Sequence, residues 1–167
     1  MKKVAIVMGS CSDFPVVEKV IEKLDFFEIP HECFVMSAHK SPNLTIKFAQ
    51  NAKEKDFGII IAAAGMAAHL AGIIAANTIL PVIGLPIKCS LNGLDALFST
   101  VQMPRGVPVL TVGIDCAENA AIAACEILAI YEKSLQSKLE EMKKSLEKEI
   151  VSQNKNLNFW NFFERGC

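Results

Sequence analysis

The sequence lacks an excess of charge of either sign. Its 17 Lys and Arg side chains nearly balance 18 Asp and Glu side chains, for a formal net charge of -1. Proteins that bind nucleic acid or an anionic membrane surface over a wide area need a broad basic field. The composition therefore predicts no nucleic-acid partner and no membrane partner, and an anionic ligand must be bound at a local site.

Long apolar runs and paired cysteines are also missing. Residues 59–91 are the most apolar stretch, but Pro81 and Lys88 are among the residues that interrupt it, so it does not resemble a membrane span. The apolar run 4–8 is too short for a signal peptide. The six cysteines are scattered, without C-x-x-C or a metal-like pairing with histidine. We expect a cytoplasmic protein with reduced thiols and no metal site.

Short apolar runs alternate with stretches of helical periodicity. Strands are predicted at 4–8, 32–36, 58–64, 81–86 and 107–113, and helices at 14–27, 42–55, 67–78, 93–103 and 117–148. The run 58–64 is apolar throughout rather than alternating, which is typical of a strand buried on both faces. This alternation predicts an α/β fold, in which helices cover both faces of a parallel sheet.

The C-terminal part differs from the rest. Residues 131–150 are charged, with an apolar stripe at Leu135, Leu139, Met142 and Leu146, and residues 157–167 carry four aromatic side chains. The tail either folds back on its own domain or packs, with the helix, on a neighbouring subunit, and its composition favours the second. We therefore divide the chain into an α/β catalytic domain, 1–130, and a C-terminal helix with an aromatic tail, 131–167.

Ligands of open parallel sheets bind at the carboxyl ends of the strands, where three polar stretches fall. In "GSCSD", Ser10 and Ser12 offer hydroxyls to a phosphate and Asp13 could accept bonds from sugar hydroxyls, although Ser12 or Asp13 could equally cap the next helix. The stretch is not the G-x-G-x-x-G of dinucleotide sites.

The second and third stretches each contain a histidine. "SAHKSP" places His39 and Lys40 before a helix for which Ser41 is a plausible N-cap, and a cation there favours an anionic ligand. "AAAGMAAHLAG" contains His69 among small residues that let a ligand approach the backbone. Taken alone, either histidine is more often structural, and His69 by itself reads as a packed core residue.

Six stretches together resemble the N5-carboxyaminoimidazole ribonucleotide mutases of purine biosynthesis, in order and spacing: "MGSCSD", "SAHKSP", "AAAGMAAHLAG", "LPVIGLPI", "LNGLDALFSTVQMPRGVPV" and "ENAAIAACEIL". The resemblance implies a flavodoxin-like three-layer αβα sandwich, assembled as a homo-octamer. It implies an isomerase without metal or organic cofactor, which moves a carboxyl group from the exocyclic nitrogen to a ring carbon of an aminoimidazole ribonucleotide.

The same resemblance assigns roles to individual residues. His39 is the catalytic residue, which protonates the nitrogen as carbon dioxide leaves and later removes the ring proton. Ser10 and Asp13 bind substrate, with Asp13 on the ribose hydroxyls. The remaining binding positions are Ser12, Ser37 and Lys40 near the phosphate, Ala64, Gly65 and Leu70 in the pocket lining, and His69 near the substrate carboxylate.

Three positions depart from the mutase pattern. Lys40 stands where the mutases usually have Arg, Met66 where they usually have Gly, and Ala71 where they usually have Pro. Lys40 is typical of the related carboxylases that use free carbon dioxide, whereas "AAHLAG" and "STVQMPRGVPV" favour the mutases. We favour the mutase, with the carboxylase as the alternative. A non-catalytic nucleotide-binding or assembly module, which could bind flavin, is a third hypothesis.

Overall fold

The computed structural model describes residues 1–156, which form five parallel strands and the helices that cover them. The strands are β1 (Lys3–Met8), β2 (His31–Val35), β3 (Phe57–Gly65), β4 (Val82–Ile87) and β5 (Leu110–Thr111). The helices are α1 (Phe14–Phe26), α2 (Pro42–Asn51), α3 (Leu70–Ala75), α4 (Leu94–Val101), α5 (Ala117–Ala129) and α6 (Lys133–Asn156), with short 3₁₀ turns at Cys11–Asp13 and Leu91–Gly93.

The strand order is β2-β1-β3-β4-β5, with every pair parallel. This is the flavodoxin-like order, in which the connections change direction between β1 and β3. The register aligns Met8 with Ala63 and Ala64 with Pro86, so the carboxyl ends of the central strands lie side by side. The fold class predicted from the sequence is therefore confirmed.

Alternate side chains of the central strands are buried on opposite faces of the sheet. Val4 and Ile6 of β1 belong to an apolar cluster with α1, α5 and α6, whereas Ala5 and Val7 belong to a second cluster with α2 and α3. Helix α4 lies on the second face, since a Cβ added at Gly84 would meet Thr100 of α4 as well as Ala71 of α3. The sheet is thus the middle of three layers, as expected for strands apolar on both sides.

The predicted helix 117–148 is wrong as a single element. The chain ends α5 at Ala129 and restarts at Lys133, and the side-chain amide of Gln136 donates to the carbonyl of Ala129, 2.6 Å away. That bond satisfies a carbonyl left free at the helix end. The break turns α6 back onto the domain, where Leu135 and Leu139 are buried beside α5.

Other predicted boundaries move by smaller amounts. The strand predicted at 107–113 shrinks to the two residues of β5, and on its N-terminal side Pro108 has no N–H to donate to β4. The helices predicted at 42–55 and 67–78 shorten to α2 and α3, and each is followed by a turn, at 52–56 and 76–77. Every helix in residues 1–156 is too short or too polar to cross a membrane. The aromatic tail, 157–167, lies outside the described residues.

Candidate active site

The loops that follow β1, β2, β3 and β4 line a pocket of about 250 Å³, which opens at the carboxyl edge of the sheet. It lies where the connections change direction, which is the usual ligand site of such sheets. The structure brings all of the predicted site residues together there, and the pocket is lined by Ser10, Ser12, Asp13, Ser37, His39, Lys40, Ala64, Gly65, His69 and Leu70, with Gly9, Ala38, Met66, Ala67 and Cys89.

The loop after β1 is held by reciprocal capping. The backbone N–H of Ser10 donates to Asp13 Oδ2 (3.0 Å), and the N–H of Ser12 donates to Ser10 Oγ (3.3 Å). Ser10 rather than Ser12 therefore supplies the capping hydroxyl, while the Ser12 hydroxyl donates to Ser10 Oγ. Asp13 stands at the N-cap of α1 but makes no side-chain cap to that helix, so the interpretation as a cap of the next helix is wrong; its carboxylate serves the 3₁₀ turn instead.

Asp13 is the buried carboxyl group of the pocket, with 5% of its surface exposed. Burial raises its pKa, and hydrogen bonds from the backbone of Ser10 and Gly9 oppose that rise. Desolvation is the larger effect because the charged form loses water that two amide donors replace only in part. The carboxyl group is thus held by backbone donors of its own loop and borders the ligand space.

Hydrogen bonds among Ser37, Lys40 and Ser41 hold the loop after β2 together. The N–H of Lys40 donates to Ser37 Oγ (3.1 Å), and the Ser41 hydroxyl donates to the Ser37 carbonyl (3.0 Å) and accepts from the Ser37 N–H. Ser41 stands at the N-cap of α2, but its hydroxyl serves this loop and makes no side-chain cap to the helix. The Lys40 side chain is exposed and pairs with no carboxylate among residues 1–156, so its charge is available to an anionic ligand.

His39 and His69 form the centre of the pocket. The Nε2 of His39 lies 2.9 Å from the Nδ1 of His69, and the rings meet nearly at right angles, at 82°. His69 is exposed and bonded to another side chain, so the interpretation as a packed core histidine is wrong. One nitrogen of the bond must donate and the other accept, so the bonded pair can carry one positive charge but not two.

Small residues form the wall after β3. A Cβ added at Gly65 would overlap the Sγ of Cys89 and come within 3.2 Å of the Ile87 carbonyl oxygen, so a larger residue would force Cys89 to shift. Ala64 is half-buried beside it, and Leu70 is buried at the start of α3. Met66 follows with a φ of 57°, in the left-handed region that disfavours a residue with a side chain.

Sequence reasoning overlooked Cys89 as part of the site. It follows β4, and the same argument from carboxyl ends of strands that selected the other loops could have found it. Burial, and then the carboxylates of Asp13, Asp95 and Asp115, raise the pKa of its thiol, which favours the protonated form. Among residues 1–156, no cluster of three or more His, Cys, Asp or Glu side chains could hold a metal ion.

The chain is similar to known proteins over most of its length. A family model described as AIR carboxylase matches residues 3–149. A curated N5-carboxyaminoimidazole ribonucleotide mutase of Thermotoga maritima is 48% identical over 158 residues, 94% of this chain and 92% of that protein. A phosphoribosylaminoimidazole carboxylase of Schizosaccharomyces pombe is also 48% identical, over 89% of this chain but only 27% of its own length. The crystal structure of Treponema denticola PurE has a TM-score of 0.85 at 27% identity, over 93% of this chain and 98% of that one.

Proposed function

Because this chain belongs to the AIR carboxylase family, we propose that it is an N5-carboxyaminoimidazole ribonucleotide mutase of de novo purine biosynthesis. The observation that carries the proposal is the 48% identity to a protein of that description over 94% of the chain. The reaction is an isomerisation, in which the carboxyl group on the exocyclic nitrogen of an aminoimidazole ribonucleotide is transferred to the ring carbon C4.

The His39–His69 pair supports a proton-shuttle mechanism. His39 protonates the exocyclic nitrogen as the bond from nitrogen to the carboxyl carbon breaks and carbon dioxide is released. The ring carbon then attacks carbon dioxide, a carbon–carbon bond forms, and His39 removes the proton from that ring carbon. The histidine ends in its starting protonation state, so the cycle needs no external acid, base or cofactor. His69 orients the imidazole of His39 through their 2.9 Å hydrogen bond.

The polar groups around the pair match the remaining parts of the substrate. We assign the phosphate to the exposed Lys40 and the hydroxyls of Ser12 and Ser37, since their charge and donors suit an anion. Ser10 and Asp13 would bind the ribose hydroxyls, and His69 the transferred carboxylate. Ala64, Gly65 and Leu70 leave room for the flat imidazole ring.

A paired substrate assay tests the proposal. The purified protein should convert the N-carboxylated ribonucleotide to the C-carboxylated one in buffer freed of bicarbonate. If aminoimidazole ribonucleotide with carbon dioxide is much the better substrate pair, the protein is a carboxylase, a reading supported by Lys40 and by the Schizosaccharomyces pombe relative. Binding of nucleotide or flavin without turnover would overturn both and leave a non-catalytic module.

We also propose that the protein is a cytoplasmic homo-octamer. An exposed apolar stripe on α4 supports self-association, since Leu94, Phe98 and Val101 follow one another at helical spacing and are each about half exposed. The second half of α6 and residues 157–167 would pack on neighbouring subunits. Leu146 and Ile150 continue the buried stripe of α6 but are exposed in the single chain.

A further inference from the structure

The hydroxyl group of Ser41 serves the loop after β2 rather than the helix that it precedes. Ser41 stands at the N-cap of α2, where a serine hydroxyl usually accepts from a free N–H group in the first turn of the helix, but it makes no such bond. It accepts instead from the N–H of Ser37 (3.0 Å) and donates to the carbonyl oxygen of Ser37 (3.0 Å). The hydroxyl therefore has a role other than capping.

These two bonds hold both backbone polar groups of one residue. They need a side chain that donates and accepts at the same time, as a hydroxyl does. The backbone N–H of Ser41 also donates to the carbonyl oxygen of Ser37 (2.8 Å), and we call this set of three hydrogen bonds the Ser37–Ser41 clamp. The clamp closes the loop at its base and encloses the turn formed by residues 38–40.

The clamp is attached to the core on both sides. The N–H of Met36, just before Ser37, donates to the carbonyl oxygen of Met8 on β1 (2.9 Å). On the other side, the hydroxyl and the N–H of Thr45 both donate to the carbonyl oxygen of Ser41 at 3.1 Å, and Thr45 is buried. Each of these contacts lies within one chain, so the loop is fixed relative to the sheet and to α2 however the chains assemble.

The enclosed turn carries the group that the proposed reaction needs. His39 lies in it, with its Nε2 2.9 Å from the Nδ1 of His69, which comes from a different loop. Proton transfer requires an imidazole within hydrogen-bond reach of its partners. A misplacement of about 1 Å in a reacting geometry can cost about 10²-fold in rate. The position of His39 therefore depends on how firmly the turn is held.

We propose, on the basis of the proposed function, that Ser41 is a positioning residue for the mutase reaction. Its hydroxyl closes the Ser37–Ser41 clamp and so holds His39 opposite His69. Ser41 does not line the pocket, so it acts through the loop rather than on the substrate. The role requires a hydroxyl, and threonine is the conservative replacement that keeps one.

Steady-state kinetics of variants at residue 41 test this role. The N-carboxylated ribonucleotide is the substrate in bicarbonate-free buffer, and rates are taken per folded protein at a temperature well below the melting transition of each variant. Ser41→Ala should lower kcat about 10- to 100-fold and raise KM, because the turn carries both His39 and the anion-binding Lys40. Ser41→Thr should restore most of the activity. If Ser41→Ala does not fold, Ser41→Cys takes its place and should also lower kcat, since a thiol donates and accepts only weakly.

Ser99→Ala is the matched control. The Ser99 hydroxyl also donates to a carbonyl oxygen four residues earlier, that of Asp95 (2.7 Å), but Ser99 does not line the pocket, so kcat and KM should stay at wild-type values. A wild-type kcat in the alanine or cysteine variant, or a threonine variant as impaired as they are, would overturn the role of Ser41. A change in KM alone would do the same, because the geometry of His39 would then not depend on the clamp. A wild type that does not convert this substrate would instead overturn the proposed function, and this role with it.

Discussion

The Nε2 of His39 and the Nδ1 of His69 lie 2.9 Å apart, although the two residues are separated by 30 positions in the chain. His39 comes from the loop after β2 and His69 from the N-cap of α3, so the sheet brings them together. Each is solvent-exposed, and neither is needed to fill the core. Because neither ring fills the core, a role in the reaction explains this contact better than a contribution to the stability of the fold does.

Replacing His39 by Asn should abolish most of the mutase activity without unfolding the protein. We expect kcat to fall by about 10²- to 10⁴-fold, because an amide cannot shuttle the proton, while circular dichroism and thermal stability stay unchanged. His69→Asn should cause a smaller fall, and the double variant should be scarcely worse than His39→Asn, since the residues act as a unit.

The third histidine provides the matched control. His31 lies on β2 with its Nδ1 2.9 Å from the Ile29 carbonyl oxygen and does not line the pocket. His31→Asn should therefore keep the wild-type kcat. Normal turnover in His39→Asn would remove His39 from the mechanism.

Asp13 should make the stability of the fold depend on pH. Its pKa is raised above the ordinary 3.8, mainly by burial, so folding disfavours its ionised form. Its contribution to stability is therefore complete below pH 3.8 and is lost as the pH rises through the raised pKa. Asp13→Asn, whose amide oxygen can still accept from Ser10 N–H, should flatten this part of the curve of unfolding free energy against pH.

Urea denaturation over an acidic-to-neutral pH series measures the effect, with Glu18→Gln on the exposed face of α1 as the control. A curve for Asp13→Asn parallel to that of the wild type would contradict the burial argument. The same variant should bind substrate more weakly if Asp13 contacts the ribose, which a separate titration with the ribonucleotide would detect.

The close approach of Cys89 to Gly65 predicts a compensating pair of substitutions. Gly65→Ala should lower the unfolding free energy by about 1–3 kcal/mol, because the new methyl group overlaps the Cys89 sulfur. Adding Cys89→Ala should restore part of the loss, although the Ile87 carbonyl oxygen at 3.2 Å still crowds the methyl group. A double-mutant cycle measures this coupling.

Gly9→Ala is the control for that cycle. Its added Cβ would meet its nearest neighbour, Asp13 Oδ2, at an ordinary distance of 3.6 Å. Its stability should change little and should not respond to Cys89→Ala. Equal losses for Gly9→Ala and Gly65→Ala would show that the contact with sulfur is not the cause.

Helix α6 should stabilise the domain through its first turns only. Leu135 is 1% exposed, and Leu135→Ala should cost about 2–5 kcal/mol of unfolding free energy. Leu146 lies on the same stripe but is 55% exposed. In a dissociated chain, Leu146→Ala should therefore lower the unfolding free energy by less than about 0.5 kcal/mol. Urea denaturation at low protein concentration compares the two, and equal costs would contradict this account.

The stripe on α4 predicts a change in assembly. Phe98 is 55% exposed, and Phe98→Glu should reduce the mass in solution, because a charge would be buried in a subunit interface. Phe26 of α1 is even more exposed, at 66%, and Phe26→Glu is the matched control. Light scattering coupled to gel filtration measures both, and an unchanged mass for Phe98→Glu would exclude this surface from the interface.

The boundaries that sequence reasoning misplaced share a cause. Both sides of the α5–α6 break are helical, so helical periodicity alone did not separate them, although the composition changes from apolar to charged at residue 131. The turn is stabilised by burial of Leu135 and Leu139 against other elements and by the bond from Gln136 to Ala129. Strand β5 begins late because Pro108 lacks an N–H that could pair with the neighbouring strand β4.

The amino-acid sequence by itself determined the order of strands and helices, the parallel sheet and the loops that carry the site. Those features follow from the spacing of apolar residues and from the rule that parallel strands present their carboxyl ends on one edge. Only the tertiary structure decided that His69 meets His39, that Cys89 packs closely against Gly65, and that Asp13 is buried within the loop. Each of these depends on distances between segments far apart in the chain, which the register of the sheet and the packing of its loops determine.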